Sequence, residues 1–130
     1  MQDVYFKPHS NDGTLDGTAF ERWNEMIVEG AKKLNRDWHC VKHYKRWFEE
    51  VGFEDVVERS FYWPMNPWAK GKRMKTIGLW SMQNALEGAN SISMAIMTRV
   101  LGMSPDEVER RLEEVKHNIK DSSIHSYWPV

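Results

Sequence analysis

Phe20, Trp23, Ile27, Ala31 and Leu34 recur every three or four residues, the spacing that keeps side chains on one face of an α-helix. Thr18-Ala-Phe-Glu21 stands in front of the run as a capping box, so the helix is predicted to start there. A second helix is predicted from about Val41 to Val51, with Val41, Tyr44, Trp47 or Phe48, and Val51 on one side and Gly52 placed to end it. Further helices are expected from about Lys72 to Leu86 and from about Ser91 to Leu101. Ser104-Pro-Asp-Glu107 joins an N-cap, a proline at the first helical position and a capping glutamate. Val108, Leu112, Val115 and Ile119 then mark a helix to about Lys120.

Three runs read as strands: Gln2-Asp-Val-Tyr-Phe6, Phe53 to Tyr62, and Ile124 to Val130, each β-prone and bounded by turn residues. The order is β-α-α-β-(α-α-α)-β, with a turn-rich segment, Trp63-Pro-Met-Asn-Pro-Trp-Ala-Lys-Gly71, after the second strand. Three strands among about five helices make an α/β fold, but few strands for a complete sheet. Both ends of the chain fall inside strands. The expectation is one partial domain over residues 1–130, with a helical cover over about 70–120. The Gln2–Phe6 strand would then present an open edge, which a partner chain or self-association would cover.

Composition narrows the function classes. Eighteen basic and nineteen acidic side chains leave a formal net charge of −1, without the basic excess that nucleic-acid binding draws on. No apolar run reaches the roughly 18 residues of a membrane helix, and the first residues do not form a signal peptide. Cys40 is the single cysteine, so no internal disulfide forms and a reducing compartment fits, cytoplasmic or nuclear. Seven tryptophans and eight methionines can fill a core or bury a flat apolar ligand.

The eight glycines stand at 13, 17, 30, 52, 71, 78, 88 and 102, and no two are separated by one residue. A nucleotide-binding loop needs closely spaced glycines for the backbone to approach its ligand. No Walker-type Gly-Lys-Ser/Thr occurs either. The chain is therefore expected to hold no nucleotide cofactor by itself.

Of the remaining clusters, His39 and His43 are four apart and can share a metal with Cys40, but Cys40 points elsewhere and no fourth ligand is evident. A solvated face with one buried cysteine is the reading adopted, and no metal is expected. Lys70, Lys72, Arg73 and Lys75 form a basic run that can meet an anion or simply be a solvated helix start. Trp63 and Trp68 bracket a rigid loop after a strand, where α/β enzymes place ligand groups. Trp80 and Asn84 share a helix face with Ile77. These four are pocket candidates, with core packing as the alternative. His125 is the catalytic candidate, a general base if it is not a satisfied structural histidine.

Several stretches, in order, resemble the fungal LaeA-like S-adenosylmethionine-dependent methyltransferases of secondary metabolism. They are Met1-Gln-Asp-Val-Tyr-Phe6, Asn11-Asp-Gly-Thr-Leu15, Arg22-Trp23, Trp47-Phe-Glu-Glu-Val-Gly-Phe53, Pro67-Trp68, Lys75-x-Ile-Gly78, Leu101-Gly-Met-Ser104 and Ser123-Ile-His-Ser-Tyr127. The resemblance implies the C-terminal part of a class I, Rossmann-like methyltransferase sheet. The three strands would match its fifth to seventh, and the cofactor-binding half would be absent. It also implies S-adenosylmethionine as the parent family's cofactor and a small-molecule metabolite as acceptor. By position, Tyr5, His9, Trp63, Trp68, Trp80 and Asn84 would line the acceptor side. Two other readings stay open: a shortened cyclase or pericyclase working without the cofactor, and a non-catalytic partner of another methyltransferase-like chain.

Overall fold

Thr18 caps the first helix as its sequence dictates. In the computed structural model, which describes residues 1–130, the Thr18 Oγ1 accepts the Glu21 N–H at 3.2 Å and the Glu21 carboxylate accepts the Gly17 N–H at 2.7 Å. This helix, α1, runs Ala19–Lys33. Phe20, Trp23, Ile27 and Ala31 are buried along one face. Leu34, expected on that stripe, lies past the helix end and is exposed.

A 3₁₀ turn, Cys40–His43, leads into α2, Tyr44–Glu50. Helix α3 spans Lys72–Ser93 and continues through a π-helical turn, Met94–Thr98. The break expected between Leu86 and Ser91 does not occur. A glycine such as Gly88 costs a helix only about 1 kcal/mol, and burial of Ala89 and Ser93 against the core outweighs that. In the wider π turn the adjacent Ile96 and Met97 both face inward. Helix α4, Pro105–Lys120, is capped by the Ser104 hydroxyl on the Glu107 N–H at 3.2 Å and buries Val108, Leu112, Val115 and Ile119.

The expected three-stranded sheet is corrected to two short antiparallel strands, and the five helices to four α-helices. Strand β1, Tyr62–Pro64, pairs with β2, Tyr127–Pro129, with Trp63 opposite Trp128. Residues 53–61 form no strand: the Phe53 N–H returns to the Phe48 carbonyl at 3.0 Å, and no strand pairs with the run before Phe61 meets Val130 at 2.8 Å. The Gln2–Phe6 run is not a strand either. It touches β2 through the Tyr5 N–H on the Pro129 carbonyl, 2.9 Å, and an antiparallel bridge between His9 and Tyr127. Between these contacts the Lys7 N–H turns back to the Tyr5 carbonyl and Pro8 has no N–H to give. β2 is thus the middle of a ribbon, flanked by β1 and by the N-terminal segment.

One apolar core joins α1, α4, the π turn and Trp128. Two features lock the ribbon to it. Asn66, fully buried just after β1, donates from Nδ2 to the Ile119 and Asp121 carbonyls at 3.2 and 2.9 Å, stapling the end of α4. Gly78 lets α3 cross directly over the Asn66 backbone, where a Cβ would stand 2.3 Å from its carbonyl oxygen. No helix is long and apolar enough to cross a membrane.

Candidate functional site

Arg73, Ile77, Trp80, Asn84 and Glu87 follow one another every three or four residues on α3, which puts them in one stripe. Asn66 and Gly78 hold α3 close to β1, so this stripe faces the ribbon side that carries Trp63 and Trp128. The space between is an open trough of about 910 Å³, within the range of small-molecule sites. Phe6, Phe20 and Trp23 also line it. The Phe6 and Trp128 rings stack at 5.0 Å, and Phe20 meets Trp128 edge-on at 5.9 Å.

The polar groups of this trough are few. Trp23 spends its indole N–H on the buried Ser93 hydroxyl at 2.8 Å, so its ring is fixed and presents carbon. Glu87 accepts from Gln83 at 2.6 Å. The Asn84 amide and the Arg73 guanidinium make no hydrogen bond or ion pair inside the chain, which leaves both free for a ligand. Trp80 is 70% exposed. A tryptophan held out over an apolar floor is a stacking surface rather than core.

The other side of the ribbon carries a different chemistry. Side chains alternate along a strand, so Tyr127 points away from the Trp128 side. There the His9 ring lies 6.1 Å from Tyr127 and 6.2 Å from Tyr5. Burial, and then Lys7, hold the His9 imidazole below its ordinary pKa. His125 Nδ1 meets Asp12 Oδ2 at 2.5 Å, and its ring packs 4.9 Å from that of Trp68. Asp12 Oδ1 accepts the Thr14 hydroxyl and N–H at 2.8 and 3.1 Å. The Thr14 hydroxyl bond, then His125, bring the Asp12 carboxyl down to about 2. Trp68 donates its indole N–H to the Ser126 carbonyl at 2.8 Å. Asp12, Thr14, Trp68 and His125 Nδ1 thus bond within the chain. The cluster fastens the 10–14 turn to the last segment.

His39, Cys40 and His43 do not converge. The stretch is 3₁₀ rather than α-helical, His39 Nε2 lies 3.3 Å from the Phe6 carbonyl, His43 leans on Trp47, and the Cys40 sulfur lies 3.6 Å from the Tyr44 hydroxyl.

No protein-family model and no solved structure matches the chain. Curated relatives do. The probable methyltransferase tdiE of Emericella nidulans is 34% identical over 131 residues, all of this chain and 41% of tdiE. Methyltransferase pytC of Aspergillus terreus is 28% identical, over 98% of this chain and 40% of pytC. The secondary metabolism regulator laeA of Monascus pilosus is 25% identical, over 96% of this chain and 34% of its own length. The chain is thus similar along essentially its whole length to fungal proteins of which two carry the name methyltransferase and one that of a secondary metabolism regulator. It spans about two fifths or less of the curated relatives it matches.

In this chain the six acceptor-side candidates divide between two faces. Trp63, Trp80 and Asn84 meet in the trough. Tyr5, His9 and Trp68 do not join them, nor does His125. Tyr5 instead lines a second open cleft of about 920 Å³ against α2 and residues 53–61. Sequence reasoning put Phe6 in a strand, Phe20 and Trp23 in the core, and Arg73 in a basic run. The signal for Arg73 was present, since it is one helical step before Ile77. The Asp12–His125 contact joins residues 113 apart, and no local pattern announces it.

The turn that leads into α1 has no pair of closely spaced glycines, and three of its amides are already bonded. The Gly17 N–H goes to Glu21, the Glu21 N–H to Thr18, and the Phe20 N–H to the Asn118 side chain at 3.2 Å. Helix N-termini bind anions through such donors when they are free.

Proposed function

We propose that this chain forms the acceptor-binding side of an S-adenosylmethionine-dependent, small-molecule methyltransferase of secondary metabolism. Residues outside these 130 would hold the methyl donor, and the chain would not methylate by itself. The observation that carries this reading is the alignment of nearly the whole chain with 40–41% of two relatives named methyltransferases. Supporting it, the 910 Å³ trough is walled by Trp63, Trp80 and Trp128, while the Gly17, Phe20 and Glu21 amides at the turn into α1 are already bonded within the chain. S-adenosylmethionine, when bound, supplies an electrophilic methyl group. This chain's residues contribute position: Trp80 and Trp63 clamp the acceptor's plane and the Asn84 amide orients a carbonyl or hydroxyl on it.

Two titrations test the reading. Calorimetry of the chain with S-adenosylmethionine is expected to show no binding, and a micromolar dissociation constant would overturn the division of labour. Titration with 2-naphthamide, a flat uncharged probe, is expected to move the Trp63 and Trp80 indole NMR signals in the native chain, and to leave the Trp63 signal in place in Trp80→Ala. If neither signal moves, the trough is not the acceptor site.

A further inference from the structure

Four cations cluster in sequence around the start of α3, the end of the trough that Arg73 lines. Lys70 lies two residues before α3, and Lys72, Arg73 and Lys75 belong to its first turn, which contains no acidic residue. The chain's ion pairs use Lys32, Lys45, Arg46, Arg111 and His125, so none of these four is neutralised by a neighbour. In a chain of net charge −1 this is a local concentration of uncompensated positive charge. Only one of the four, Arg73, also lines the trough.

The opposite end differs. Fourteen residues further along α3, Glu87 lines the same stripe, about 21 Å away at the helical rise. Between them stand Ile77, Trp80 and Asn84. The trough is therefore polar in the electrical sense as well as the chemical one: guanidinium, then aromatic walls, then amide and carboxylate. A planar ligand with a negative group at one edge satisfies that order in one orientation. The reverse orientation sets its anion against Glu87.

We propose that the trough selects a flat aromatic or conjugated acid, its ring between Trp63 and Trp80 and its carboxylate paired in bidentate fashion with Arg73. This rests on the trough being the acceptor site. Guanidinium suits the role because its planar fork matches a carboxylate. The flanking lysines add long-range attraction that salt screens.

The test compares two probes that differ in one group, 2-naphthoate and 2-naphthamide, by following the assigned Trp63 and Trp80 indole signals in the native chain and in Arg73→Gln. Arg73 and Trp80 are both exposed, so neither variant endangers folding. Naphthoate is expected to bind about tenfold more tightly than naphthamide. Arg73→Gln is expected to abolish that preference while leaving naphthamide unchanged. Equal affinity of the two probes, or a preference that survives Arg73→Gln, overturns the proposal while leaving the acceptor site intact. Failure of both probes to move either indole signal defeats the acceptor-site reading itself. Loss of the preference on changing Lys70, Lys72 and Lys75 to Gln, with Arg73 kept, also overturns it, because the attraction would then be diffuse.

Discussion

Alanine in place of Gly78 would put a Cβ 2.3 Å from the Asn66 carbonyl oxygen and 2.6 Å from its carbon, about 1 Å inside the 3.4 Å at which ordinary contact begins. The obstructing atoms are backbone, and Asn66 is anchored to Ile119 and Asp121, so α3 itself must retreat. Overpacking of this kind costs about 1–3 kcal/mol, and two anchored backbones place it at the upper end. Alanine returns about 1 kcal/mol of helix propensity. Gly78→Ala is therefore expected to destabilise the chain by about 2 kcal/mol. Gly88 lies ten residues along the same helix, where a Cβ would meet only Ile92 Cδ1 at 3.9 Å. Gly88→Ala is expected to stabilise by about 1 kcal/mol. Urea denaturation followed by tryptophan fluorescence reads both. With a slope of about 1–3 kcal/mol per molar urea, the two midpoints should differ by at least about 1 M. A Gly78→Ala midpoint at or above that of the native chain would refute the close crossing of α3 over Asn66.

Asn66→Ala removes both donors that satisfy the Ile119 and Asp121 carbonyls, and thermal unfolding should show a loss of about 1–3 kcal/mol. Asn66→Asp should be worse, since it sets a buried carboxylate against those carbonyls. The Asp12 carboxyl, held at about 2 by Thr14 and then His125 against an ordinary 3.8, contributes stability that is complete above 3.8 and lost as pH falls through about 2. An Asp12 midpoint near 3.8 by side-chain carboxyl NMR would contradict that contact. The same acid titration read at His9, whose folded pKa lies below 6.5, should show stability declining as pH falls below 6.5.

The elements that were legible in the sequence are those whose signals are local. Thr18 with Glu21, and Ser104 with Pro105, start α1 and α4 at the positions their capping residues specify, because a cap is a bond to an amide three residues away. The strands were not legible in the same way. Phe53 to Tyr62 has β-prone composition, but a strand is a relation to a partner, and only Tyr62 to Pro64 has one in β2. The continuity of α3 across Gly88 was hidden for a related reason. Its deciding terms are the burial of Ala89 and of Ser93, the latter bonded to Trp23, seventy residues earlier in the chain.

The candidate site shows the same division more sharply. Trp80 and Asn84 lie four residues apart on one helix, so their shared face followed from spacing alone. Whether Trp63 or Trp68 joins them depends on which way each leaves the end of β1. Trp63 pairs with Trp128 and falls on the α3 side, while Trp68, five residues later, turns over to bond Ser126 and cover His125. A shift of one residue in the β1–β2 register would exchange the faces, sending Tyr127 into the trough and Trp128 out of it. The register is fixed by the Phe61–Val130 and Met65–Ser126 hydrogen bonds and by Trp128 wedged between Phe6 and Phe20. Trp128 therefore belongs to two parts of the fold at once: it joins the core that orders the ribbon and it lines the trough. A flat ligand bound there, as proposed, would couple recognition to stability through that one ring.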